Sequence, residues 1–266
     1  IFFFDIVYPM RTVYSFLLFL TVIGCSSGKV SVSDLRNGDL LFVVNGDGNN
    51  ITNVTKGVDG LGIDHVAIFA DGHIIEAVPE YGVVESPLDT FLVRLTEKET
   101  VLVGRVKGLA VKASVDNARG FVGFPYDDIF MPSDSAIYCS ELVQKSFVLK
   151  GGRNERGDVK DNVGKKDKVG EEYEMDGVTK GTENDDESNE GIKPSKIGPR
   201  HFVFSTIPMS FHDSTGKVTE FWTNFYAARG LEVPEGEPGT NPGQLSRDPS
   251  VKILGVLDSM KRQQAQ

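Results

Sequence analysis

The sequence predicts an α+β fold in which an antiparallel sheet packs against a helix. Two strand-like runs, His65–Ala70 and His73–Val78, flank Asp71-Gly72, a two-residue pair favouring the left-handed hairpin turn. The best helical spacing, Ser135–Leu149 with Ile137, Leu142, Val143 and Phe147, lies well apart from that hairpin. Strands that cluster together and helices that stand separately argue against strict βα alternation.

Taken in order, Gly38–Val44 reads as a buried strand bounded by turn residues, and residues 45–62, rich in Gly, Asn and Asp, as a long loop. After the hairpin, Ser86-Pro87 is a cap followed by proline at the first helical position, opening a short helix through Phe91. Val101–Val106 is a further strand, and Val111–Val122 has helical spacing of Ala and Val. Residues 151–198 carry 13 acidic and 9 basic side chains with few large apolar ones, the composition of a charged disordered insertion. Structure is expected again at His201–Phe204 and in a helix over Thr219–Arg229, followed by a turn-rich tail. The units are therefore a core over 34–150 and a C-terminal part of the same domain over 199–266.

The chain of 266 residues, 39% hydrophobic, is long enough to bury a core. Its formal charge of −10 argues against a nucleic-acid partner, which demands clustered Lys and Arg. Two cysteines, Cys25 and Cys139, exclude both a disulfide scaffold and a four-thiolate zinc site. No metal or organic cofactor is expected.

From Met10 the chain has a cationic start, an apolar run over Val13–Ile23 and then Gly24-Cys25. This is the grammar of a signal peptide, and the run is shorter than the roughly 20 residues of a membrane-spanning helix. Val22-Ile23-Gly24-Cys25 resembles the bacterial lipobox, in which the cysteine is acylated. Residues 1–9 then lie upstream of the start at Met10, residues 25–33 are a tether, and the expected location is the bacterial cell envelope, held by a lipid on Cys25. One longer signal or anchor over residues 1–23 is the alternative. A lipidated Cys25 leaves Cys139 an unpaired thiol in an exported protein.

With Asp71-Gly72 as the turn, residues facing each other across the hairpin sum to 143, and His65 and Glu76 fall on one face as diagonal neighbours. Val66, Ile68, Ile75 and Ala77 occupy the other face, which must meet a core. An imidazole beside a carboxylate is the base-and-orienter pair of nucleophilic catalysis, although two outward-facing polar residues fit the same pattern. Cys139 lies near the start of a helix that Ser133, Asp134 and Ser135 can cap, where backbone amides favour a thiolate. By helix position alone it fits a small buried apolar residue equally well.

The motifs Gly38-Asp39-Leu-Leu-Phe42, Asp64-His65-Val-Ala-Ile68, Ile75-Glu76-Ala77, Pro125-Tyr126-Asp127 and Tyr138-Cys139-Ser140-Glu141-Leu142 follow one another in a telling order. The chain resembles the circularly permuted NlpC-type papain-like hydrolases of the YaeF/YiiX group, in which the histidine strand precedes the cysteine helix. The resemblance implies a cysteine amidase with Cys139 as nucleophile, His65 as base, Glu76 as the orienting third member and Tyr126 as a substrate or oxyanion contact. Glu141 is expected to be structural, and Asp39 and Asp64 to serve turns. The implied partner is a peptidoglycan fragment, or an acyl-amide or lipid substrate cleaved through a thioester. A lipid acyltransferase or esterase, or a non-catalytic surface lipoprotein that binds an envelope ligand, are the alternatives.

Overall fold

The computed structural model describes residues 28–131, 135–150 and 202–258. Cys25, the signal-like segment and the charged insertion, with the lipidation and disorder expected of them, lie outside the described residues, as do Ser133 and Asp134. The centre is a seven-stranded sheet in the order β1-β9-β6-β2-β3-β4-β5. Its strands are β1 (Lys29–Ser31), β2 (Asp39–Asn45), β3 (Ile63–Ala70), β4 (His73–Val78), β5 (Gly82–Pro87), β6 (Glu99–Val106) and β9 (Val251–Asp258). Neighbours run antiparallel except β1 and β9, which pair in parallel. Helices α1 (Asn50–Val54), α2 (Leu88–Arg94), α3 (Val111–Arg119), α4 (Cys139–Ser146), α5 (Glu220–Ala227) and α6 (Pro242–Ser246) surround it, with a small ladder of β7 (Ile207–Pro208) and β8 (Pro238–Gly239).

The hairpin forms in the predicted register, with Ala70 opposite His73, Phe69 opposite Ile74 and Ile68 opposite Ile75. Asp71 and Gly72 both take positive φ, 51° and 80°, as this tight turn requires. Val66, Ile68, Ile75 and Ala77 pack with Leu142 and Val143 of α4, and with Phe147 just after it, in the larger core. The opposite face is buried as well: Ala67, Phe69 and Ile74 meet Leu88 and Phe91 of α2 in a second core. The strands are thus apolar on both sides, and the hairpin's polar residues His65 and Glu76 sit towards one end of the sheet.

Several boundaries differ from expectation. The cysteine helix spans Cys139–Ser146 rather than Ser135–Leu149, because Tyr126 and Ile137 are bridged and hold the preceding chain extended. Its N-cap is Tyr138, with no side-chain cap, so Ser135 does not cap it. Ser86 belongs to β5, and α2 starts at Leu88 behind Pro87 and runs one turn past Phe91, to Arg94. The 45–62 loop contains α1, capped by Asn49. Helix α3 stops at Arg119 and α5 is Glu220–Ala227. Phe202 forms a single bridge to Val148 rather than a strand. Lys29–Ser31, expected in the tether, is β1, and the tail contributes α6 and β9. Strand β9 inserts between β1 and β6, so residues after 202 complete the same sheet.

Candidate active site

Cys139 is the first residue of α4, buried at 6% exposure. Because Tyr138 offers no side-chain cap, the first-turn amides of α4 are left to face whatever approaches the sulfur. Glu141, in that first turn, is held by Lys145 at 3.1 Å and by the backbone of Tyr138. It fastens the helix start.

His65 reaches the thiol through a bulge in β3. Val43 of β2 pairs with His65 and Val44 with Ile63, leaving Asp64 as the extra residue. Such a bulge bends the strand and re-aims the side chains around it. His65 Nε2 lies 2.8 Å from Glu76 Oε2, and the Cys139 side chain is near enough to act on the ring. With Nε2 occupied by the carboxylate, Nδ1 is the nitrogen left free to take up a proton from a nucleophile. Burial works against charge on the ring, but the interactions with Cys139 and Glu76 outweigh it and push the His65 pKa up to about 10. The side chain remains 21% exposed.

Glu76 is 1% exposed and paired on both sides. Burial favours its neutral form, yet His65 and Arg94 hold its carboxyl below the ordinary range. Arg94 Nη2 donates to Glu76 Oε1 from the last turn of α2. The sequence reading, which ended that helix at Phe91, missed Arg94. One more turn places it three residues after buried Phe91, on the same helical face.

Tyr126 joins the site because Ile137 N donates to Pro125 O at 3.0 Å and Asp127 N to Ile137 O at 3.3 Å, tying its loop to the chain just before Cys139. Burial, with the Cys139 sulfur nearby, pushes the phenol well above its usual range, so its proton is retained for donation. Gly82 sets the other side of this loop. Its φ is +71°, and a Cβ there would collide with the Phe124 carbonyl. Asp64 Oδ2 accepts from Asn45 at 3.0 Å and from Asn49 at 2.5 Å, an anchoring role. Asp39 is held by Arg105 through two hydrogen bonds of 2.7 Å at the start of β2.

Residues 34–254 match the model of the permuted papain-like amidase enzymes, YaeF/YiiX, C92 family. The chain belongs to this family. The permuted papain-like amidase described here is accordingly a cysteine-type enzyme, and its mixed α+β architecture is the family fold. The metalloprotein yiiX from Escherichia coli O157:H7 shares that fold at a TM-score of 0.51 and 18% identity, covering 82% of this chain and 95% of its own. No curated protein matches the amidase. Among its described residues no three His, Cys, Asp or Glu side chains are grouped so as to hold a metal.

Proposed function

We propose that the protein hydrolyses an amide bond through a thioester on Cys139, with His65, Glu76 and Tyr126 completing the site. The observation that carries this is one imidazole held by a buried carboxylate at 2.8 Å and brought close to the Cys139 thiol at a helix start. The Cys139 sulfur, its proton held by His65, attacks the carbonyl carbon. The oxygen's developing charge falls to the Cys139 backbone N–H and the Tyr126 hydroxyl. The C–N bond then breaks and the imidazolium gives its proton to the departing amine. Water, deprotonated by His65, attacks the thioester, releasing the carboxylic acid and restoring the thiol. Glu76 holds the ring's orientation throughout and supports its positive charge.

The signal-like run ending in Cys25 supports action in the cell envelope from a lipid anchor, with a peptidoglycan fragment or an N-acyl amide as the substrate. Incubation of both substrate classes with wild type and Cys139→Ala, followed by mass spectrometry of the products, tests the reading. Release of a free amine by the wild type alone is expected. A Cys139 that alkylating probes label only after denaturation refutes the proposal.

A further inference from the structure

Two buried carboxyls stand beside the candidate site and take no part in the thioester chemistry. Asp127, directly after Tyr126, is 4% exposed, and Glu141, in the first turn of α4, is 8% exposed. One oxygen of each is held: Asp127 Oδ1 accepts from Ile129 N at 3.0 Å, and Glu141 Oε1 pairs with Lys145 at 3.1 Å. The other two oxygens, Asp127 Oδ2 and Glu141 Oε2, are buried without a hydrogen-bond partner among the described residues. A fully ionised pair in that state is strongly disfavoured.

The charged and titratable groups around the pair do not relieve it. On the same loop, Asp128 adds a further negative charge and is paired with Arg229, just after α5, at 3.6 Å. From α5, Tyr226 faces Asp127 but donates its hydroxyl proton to Ile129 O at 2.9 Å. Ahead of α4, Tyr138 faces Glu141 while its phenol oxygen accepts from Thr240 N at 3.0 Å. Lys145, on α4, meets Glu141 through Oε1. The two carboxyls are near enough for their charges to repel, and burial pushes both up from the ordinary carboxylate range. One proton held between Oδ2 and Oε2 makes one oxygen a donor and leaves the other an acceptor, so it satisfies both.

Such a bridge joins two pieces of chain that the reaction needs together. Asp127 folds the loop over 127–131, which sets Phe130, at a φ of +52°, edge-on to Tyr138 with ring centres 5.4 Å apart. Glu141 belongs to the turn that begins at Cys139. We infer that Asp127 and Glu141 share one proton, and that this bridge makes Asp127 a positioning residue that holds the Tyr126 hydroxyl over the carbonyl attacked by Cys139. The inference rests on the oxyanion reading of Tyr126 above and adds what sets that hydroxyl in place.

The test sets two electrophiles against one thiol in the full chain. 4-Nitrophenyl acetate acylates Cys139 through a tetrahedral oxyanion, whereas iodoacetamide alkylates it without one, and the mass of modified Cys139 gives both rates. Asp127→Ala should slow acylation about tenfold relative to alkylation, as Tyr126→Phe should, and the double variant should be no slower than the slower single one. Asp127→Asn, whose amide can donate to Glu141 and accept from Ile129, should restore most of the loss. Infrared spectra at neutral pH should show a carboxylic-acid carbonyl band in the wild type that Asp127→Asn lacks.

Equal slowing of acylation and alkylation in Asp127→Ala, additive effects in the double variant, or no rescue by Asp127→Asn overturns the positioning role. A wild type without the infrared band, or a band unchanged in Asp127→Asn, overturns the shared proton, and this arm does not depend on Asp127→Ala folding. Tyr126→Phe with an unchanged ratio of rates overturns the oxyanion reading and the positioning role with it, while the band still decides the shared proton. A wild-type Cys139 that 4-nitrophenyl acetate fails to acylate overturns the thioester reading itself.

Discussion

Glu76→Gln keeps the shape of the orienting side chain and removes its charge. At about 1.4 kcal/mol per pH unit, the rise of the His65 pKa from 6.5 to about 10 represents about 5 kcal/mol in favour of the imidazolium, shared between Cys139 and Glu76. An opposite charge at 2.8 Å accounts for about 1–2 pH units of it once the ring's 21% exposure is allowed for. The alkaline limb of amide hydrolysis, where His65 loses the proton it must deliver, should therefore fall from about 10 to about 8–9. A histidine whose pKa is raised on folding stabilises the fold fully below its unfolded value of 6.5, progressively less up to about 10, and not above. Glu76, whose pKa is lowered, contributes above 4.5 and loses its contribution as pH falls through its folded value. The stability gap between wild type and variant should thus be widest between about 4.5 and 6.5 and should shrink towards pH 10. It does not close there, because Arg94 still lacks its partner. NMR titration of the His65 ring, a pH–rate profile and denaturant melts at pH 6 and 10 measure these effects. An alkaline limb that stays near 10 in the variant refutes the proposed role of Glu76.

Further outcomes follow from the same contacts. Arg94→Met should lower stability by about 1–2 kcal/mol, discounted for the guanidinium's 39% exposure. It should reduce kcat more than KM is raised, with Arg94→Lys restoring part of the loss; a pure stability loss with unchanged kcat would deny Arg94 any part in positioning Glu76. Tyr126→Phe should lower kcat about 10- to 100-fold at nearly constant KM if the phenol meets the oxyanion, and an unchanged kcat reduces Tyr126 to a wall residue. Gly82→Ala should cost at least about 1–3 kcal/mol through its positive φ and slow Cys139 alkylation by moving the Tyr126 loop, as melting and probe kinetics will show.

The hairpin and its polar pair were legible because a two-residue turn fixes register, and register fixes which residues share a face. The apolar partners on both faces were also present in the sequence, as Ala67, Phe69 and Ile74 alternate with Val66, Ile68 and Ile75. Reading only one face as core hid α2's seat on the other and, with it, Arg94. The β3 bulge left no local signal, since it shows only in the pairing of Val43 and Val44 with His65 and Ile63. Strand β9 was obscured for a different reason: it follows a turn-rich stretch, and its pairing with β1 joins two distant parts of the chain.

Charge balance explains how so many ionised groups share a buried site. Glu76, at 1% exposure, is an expensive place for a lone carboxylate. A neutral third residue would orient His65 without that cost, but it would give little support to a proton held up to about 10. The carboxylate supplies that support, and Arg94 offsets the desolvation from the far side. Sulfur, imidazole, carboxylate and guanidinium then alternate in sign when the proton sits on His65, so the row as a whole is neutral. Its members are spread over α4, β3, β4 and α2, and only the β3–β4 hairpin brings two of them together locally. The chain order of the cysteine helix and the histidine strand is therefore free to be permuted, provided that α4 still packs on the face of Val66 and Ile75, while α2 packs on the other and delivers Arg94 to the sheet end.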